Sequence, residues 1–190
     1  MLLDHDLLKQ LMPNARDKDI DSYIDPLNAT LIEFEINTPK RIAAFIAQIA
    51  VESGSLFYKE EIASGKSYDS RRDLGNTQFV ALEAAKLNMT STGKFYKGRG
   101  LLQTTGYFNY KITGHALGLD LVNYPSLLLK PLNACRAAGW FWKTHNCNSL
   151  ADSVHDEPTF ELITKKINGG TTAEDIRYAD WLNCKKVLEC

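Results

Sequence analysis

Between Thr38 and Gly54 the chain has few options other than a buried helix. Thr38 can cap it, Pro39 suits its first turn, and Gly54 suits the residue after its end. Ile42, Phe45, Ile46 and Ile49 recur at helical spacing and make one apolar stripe. Other segments join this one less sharply. Residues 4–12 read as a short helix stopped by Pro13, and 17–36 as a second helical stretch that Pro26 breaks or kinks. Residues 78–88 look helical. Residues 131–144, 158–168 and 173–188 give three more helices, the second ending at Asn168-Gly169-Gly170. Only KGRGLLQTTGYFNY reads as β-prone, so any sheet is small and lies near 95–110. The fold expected is mainly α, one domain over residues 1–190.

At 190 residues, with 44% hydrophobic and 24% charged residues, the chain can bury a sizeable core. A net charge of −1 supplies no global basic field for nucleic acid or an anionic membrane. No segment approaches the roughly 20 apolar residues that span a bilayer. The N-terminus MLLDHDLLKQLMPNA lacks a basic start and an apolar core run, so it is expected not to be a signal peptide. Synthesis in the cytoplasm follows, with release by another agent if the substrate lies outside. No cysteine pair has CxxC spacing and the histidines are scattered, which predicts no metal and no cofactor. Cys135 and Cys147 are the pair expected to bridge if any disulfide forms, with free buried thiols the equal alternative. Cys184 and Cys190 complete the set.

The chemistry-bearing residues gather around the central helix. Glu52 falls in its last turn, beside Phe45 at the edge of the apolar stripe. Partial burial and the negative end of the helix dipole both disfavour the charged form, which suits a general acid. A surface glutamate near a helix end has the same spacing. Glu60 and Glu61 follow a short connector containing Gly54, and one of them could face Glu52 across a groove. Two carboxylates flanking one bond are the equipment of a glycosidase. The segment 96–110 sets amides, hydroxyls and tyrosines among glycines, as a sugar-binding wall does. A Gly-rich hairpin with a packed aromatic face is the plainer reading, and INGG could be an ordinary helix cap.

Five motifs in order, RIAAFIAQIAVESGSL, SYDSRRDLGNT, YKGRGLLQTTGYFNY, AGWFW and ITKKINGG, resemble glycoside hydrolase family 19. That family includes plant-type chitinases and bacterial and phage cell-wall lysins. LMPNA and PLNATLIEFEINTP resemble the lysin-type members. The resemblance covers nearly the full chain and implies a lysozyme-like, two-lobed α+β fold. Its cleft would run between the 39–61 region and segment 96–110.

The resemblance implies that Glu52 is the general acid and Glu61 the base that activates water, with Glu60 the competing register. It implies that Thr105 helps hold that water and that Gln103 and Asn109 contact substrate. Tyr96 and Arg99 would belong to the same wall, Asn168 to the cleft, and Arg177 would steady the acidic pair. The family usually has His before its catalytic Glu, where this chain has Val51, and the stretch 78–95 differs from the family's compact loop.

The expected reaction is inverting hydrolysis of β-1,4 bonds in peptidoglycan, by a monomeric endolysin or antibacterial lysin. Chitin is the alternative substrate, and a non-catalytic glycan-binding module the alternative class. A secreted effector would also meet an immunity protein that blocks its cleft.

Overall fold

A computed structural model describes residues 2–77, 85–87 and 89–190. The expected helix at 78–88 lies largely outside them, with Ala85 and Lys86 helical. The central helix is the third, α3, Pro39–Ser53. Thr38 accepts from the Arg41 N–H at 3.3 Å and Gly54 closes the helix with a left-handed backbone. Its burial goes beyond one stripe, because every residue from Ile42 to Ala50 is buried. The four alanines among them let neighbouring helices approach on all sides, so α3 is a core helix rather than an amphipathic surface one.

Around it stand α1 (His5–Leu11), capped by Asp4, and α2 (Asp17–Glu33). Helix α2 runs unbroken through Pro26, so the proline removes one N–H without ending the helix. On the far side of the chain's loop region lie α4 (Thr92–Phe95), α5 (Tyr107–Leu117) and α6 (Pro131–Thr144). Then come α7 (Cys147–Ser153), α8 (Glu157–Asn168) and α9 (Glu174–Leu188). Helix α9 packs along α3, and α2 packs along α6. The α2–α6 approach depends on Gly139, where a Cβ would lie 2.4 Å from the Phe34 ring. Trp142 meets Phe45 edge-on, and its indole N–H donates to Asn148.

The β element is smaller than expected. Among the described residues it consists of the isolated antiparallel bridges Glu60–Arg99 and Arg99–Thr104. Residues 107–110, read as β-prone, open helix α5 instead. Their aromatic side chains pack at helical spacing, with Tyr107, Tyr110, Thr113, Gly114 and Leu117 buried.

The four cysteines are free thiols, which corrects the Cys135–Cys147 pairing. Helix α6 carries the chain about 14 Å along its axis between Cys135 and Thr144, at about 1.5 Å per residue. A disulfide needs its Cα atoms within about 7 Å. No helix among the described residues is long and apolar enough to cross a membrane.

Candidate active site

The end of α3 and the loop that follows make one wall of a cleft. Gly54, Ser55 and Leu56 all take left-handed backbone conformations, and this run reverses the chain. The reversal lays Tyr58 over Gly54, where an added Cβ would meet its ring at 2.7 Å. Glu52, Tyr58, Glu60, Glu61 and Gln103 then line one cavity of about 310 Å³. Glu52 and Glu61 therefore share a space, as the carboxylate pair requires.

Glu52 is half-buried, and its Oε1 accepts from Arg177 Nη2. Its other oxygen has no partner among the described residues. Arg177 is buried on α9 and also donates to Gln48 Oε1 at 2.6 Å and to the Thr172 carbonyl at 2.9 Å. Burial and the helix end are therefore not all that surrounds Glu52: a buried guanidinium touches it.

Glu60 and Glu61 sit in different surroundings. Glu60 is paired with Arg99 at 2.8 Å and with Lys97 at 3.3 Å. The Glu61 carboxylate takes neutral donors, the Tyr68 hydroxyl at 2.9 Å on Oε1 and the Gly98 N–H at 3.2 Å on Oε2, while the Lys97 ammonium donates to the Glu61 backbone carbonyl at 3.1 Å. Burial, and then the contact with Glu61, push the Tyr68 hydroxyl above its ordinary range, so it stays a donor. The bridge strand holds this geometry, since the Glu61 N–H donates to the Gly98 carbonyl and the Gly100 N–H to Lys59. At Gly98 a Cβ would lie 2.8 Å from Gln103 Oε1 and 3.2 Å from Thr105 Oγ1. The glycine is what lets those polar atoms close on the carboxylate's donor.

Gln103 joins this cavity to a second, of about 300 Å³. Its backbone is left-handed (φ 50°) and its amide donates to the Gly100 carbonyl. The second cavity is lined by Thr105 and Asn109, by Ile112 and Ile167, and by Trp140, Phe141 and His145. Thr105 donates to the Gln103 carbonyl at 2.8 Å, which leaves its own oxygen free to accept. Asn109 donates to the Thr105 carbonyl.

Three expected residues lie elsewhere. Tyr96 is 1% exposed, packs against Tyr107 and Tyr110, and donates to the Val122 carbonyl, so it is core rather than cleft wall. Arg99 is buried and spends its donors on Glu60, the Phe95 carbonyl and the Tyr110 hydroxyl. It braces the wall from behind. Asn168 ties the turn after α8, accepting from the Gly170 N–H and donating to the Thr172 carbonyl. That carbonyl is the one Arg177 uses, so Asn168 reaches the acid only through the loop.

Sequence reasoning missed Tyr68, Gln48 and the aromatic group on α6. Tyr68 lies inside SYDSRRDLGNT and carries a visible hydroxyl. Trp140 and Phe141 were legible as helix but not as cleft. Among the described residues no group of three or more His, Cys, Asp or Glu is arranged to hold a metal.

Residues 33–157 match the family described as class I chitinase, glycoside hydrolase family 19. The chain belongs to that family. Glu52, Glu61 and Thr105 lie in the matched span, whereas Asn168 and Arg177 lie beyond it. Among family 19 relatives, an Arabidopsis thaliana endochitinase is 39% identical over 132 residues, 69% of this chain and 40% of that protein. An acidic endochitinase of Solanum lycopersicum is 33% identical over 149 residues, covering 69% of this chain and 53% of its own length. The chain thus spans about half the length of such relatives, or less. Chitinase C of Streptomyces griseus superposes with a TM-score of 0.73 at 23% identity, over 98% of this chain and 76% of that one. A bacterial family 19 chitinase gives 0.69 at 22%, over 99% and 95%. These likenesses bear out the mainly helical, lysozyme-like family 19 fold.

Proposed function

We propose that this chain hydrolyses β-1,4 bonds in chitin-type polymers of N-acetylglucosamine, with Glu52 as acid and Glu61 as base. The observation that carries the reading is the shared cavity, in which Glu52 is held by Arg177, Glu60 by Arg99 and Lys97, and the Glu61 carboxylate by neutral donors. Glu52 Oε2 is the atom left to hand a proton to the leaving oxygen. Glu61 accepts one bond on each oxygen from fixed donors and keeps lone pairs for water. Thr105, whose hydrogen is already committed, accepts the second hydrogen of that water. Gln103, with Asn109 and the aromatic group beyond it, extends the binding surface along a polymer.

Chitin displaces peptidoglycan as first choice because the named relatives are endochitinases and endolysin character has no such support. A non-catalytic glycan module would have no use for two carboxylates in one cavity. The test incubates the protein with N-acetylglucosamine hexamer and with purified peptidoglycan, and reads products by mass spectrometry. Shortened oligomers are expected, and none from folded Glu52→Gln. Muropeptides without chitin products would move the substrate to peptidoglycan. Binding without cleavage of either would leave the glycan-module reading. An anhydro-sugar end would mean that no water attacks and that Glu61 is no base.

A further inference from the structure

Gln48 is wholly buried on a helix whose other buried residues, apart from Ser53, are apolar. Burying an amide costs free energy unless its donors and acceptor are met. Here they are met in one direction only. Nε2 donates to Thr164 Oγ1 on α8 at 2.8 Å, and Oε1 accepts from Arg177 Nη1 at 2.6 Å. Thr164 is wholly buried too. Gln48 stands one turn before Glu52, so both side chains meet the same guanidinium from the same helix face. Rotating the amide by half a turn would set its NH₂ group against the guanidinium, donor against donor.

We propose that Gln48 is a positioning residue for the acid, and that Thr164 sets the direction of its amide. The sequence of contacts is Thr164 to Gln48, Gln48 to Arg177, Arg177 to Glu52. With Nη1 on Gln48 and Nε on the Thr172 carbonyl, the guanidinium cannot roll, and it engages Glu52 through Oε1 alone. Oε2 is thereby kept for the cleft. Without the Gln48 acceptor Nη1 loses its partner, the guanidinium can turn about its Nε–Cζ bond, and Oε2 of Glu52 is no longer kept for the cleft. Glu174, on the first turn of α9, interacts with Thr164 and Arg177, and Glu161 and Glu157 of α8 add their charges there. Glu60 and Glu61 line the same cavity as Glu52.

The inference rests on reading Glu52 as the acid, so its test has an arm that needs no turnover. Two variants are compared. Gln48→Met keeps length and removes the acceptor. Gln48→Glu keeps an acceptor for Arg177, and the Thr164 hydroxyl can turn to donate to it. Nitrogen-15 NMR of the Arg177 side chain, assigned by its loss in Arg177→Lys, reports whether the guanidinium rotates. Distinct Nη signals are expected in the unsubstituted protein and in Gln48→Glu, and one averaged signal in Gln48→Met. On chitin oligomers, Gln48→Met should lower kcat by about 10- to 100-fold, the scale of a small misplacement of a reacting group. Its KM should stay within about twofold of the unsubstituted value, as expected when only transition-state interactions are lost. Gln48→Glu should retain more kcat than Gln48→Met.

Distinct Nη signals in Gln48→Met, or a lowered melting temperature with kcat unchanged, would overturn the proposal. If neither Gln48 variant folds, Thr164→Val gives the same readouts with Gln48 in place. Averaged Nη signals are then expected, and unchanged ones count against the idea. A protein that cuts no oligomer fails the hydrolase reading, while the Arg177 signals still decide this one.

Discussion

Glu60 and Glu61 are adjacent in the chain, and their partners give them different work. Glu60 neutralises Arg99 and Lys97, whereas the Glu61 carboxylate is held by a tyrosine hydroxyl and one N–H. Replacing Glu61 with Gln should therefore lower kcat by at least about 100-fold, the usual worth of a positioned base. Glu60→Gln should act through stability, with kcat within about tenfold, because its loss strands a buried arginine rather than a base. Steady-state kinetics and thermal melts on both variants decide it, and a dead Glu60→Gln beside an active Glu61→Gln would reverse the roles.

A second residue-scale prediction concerns Glu174. Burial pushes its carboxyl above the usual range, with Thr164 and Arg177 offsetting part of the effect. A carboxyl raised in the folded state binds its proton more tightly there than in the unfolded chain. Its contribution to stability is then full at low pH and is lost as pH rises through the folded value. Glu174→Gln should match the original protein near pH 3.5 and melt higher at pH 7. A lower melting point at pH 7 would contradict this.

At this scale the sequence was a good guide to which residue types matter and a poor one to which way they face. Tyr96 and Gln103 belong to one motif seven residues apart, yet one is core and the other cleft. Motif membership carries no information on burial.

At the scale of elements, α3 was legible from end to end because its cap, its apolar period and its terminal glycine all agree. Helix α5 was not. It starts at Gly106 with no side-chain cap, and its first residues are aromatic, so local preference points to a strand. Only packing against the core makes it helical. The Glu60–Arg99 bridge was out of reach, since it joins residues about forty apart in the chain, whereas Arg99–Thr104 falls within the small β element expected near 95–110.

Helix α6 shows a subtler miss. Its buried face was foreseen, but Trp140 and Phe141 are half-buried and turn part of their surface to the second cavity. Aromatic faces bind sugar rings, so Trp140→Ala should weaken cleavage of long oligomers more than short ones. The expected reading is a severalfold fall in kcat/KM for a hexamer with little change for a tetramer. Equal losses for both lengths would place Trp140 in the scaffold alone.

At the scale of the whole molecule, stereochemistry follows from where the two carboxylates are mounted. Glu52 ends a helix and Glu61 follows the Gly54–Leu56 reversal, and the cavity of about 310 Å³ that both line is large enough to admit water. Inverting enzymes separate such groups by about 6.5–9.5 Å and retaining ones by about 5–5.5 Å. A β-linked oligomer should yield the α-anomer first, read by NMR before mutarotation, and an initial β-anomer would mean that Glu61 is a nucleophile.

The same mounting has a consequence for heat. Glu52 is carried by the most deeply buried helix among the described residues, whose opening requires the core to come apart. Glu61 is carried by backbone tied through the Glu60–Arg99 bridge, a tyrosine hydroxyl, the Lys97 ammonium and a few N–H bonds, in a stretch, 57–64, without a buried residue, and such stretches open at lower cost. As temperature rises the two halves of the pair should lose their alignment at different points. The proposed hydrolysis would then stop while the helices are still intact, and the temperature of greatest activity would lie well below the melting point.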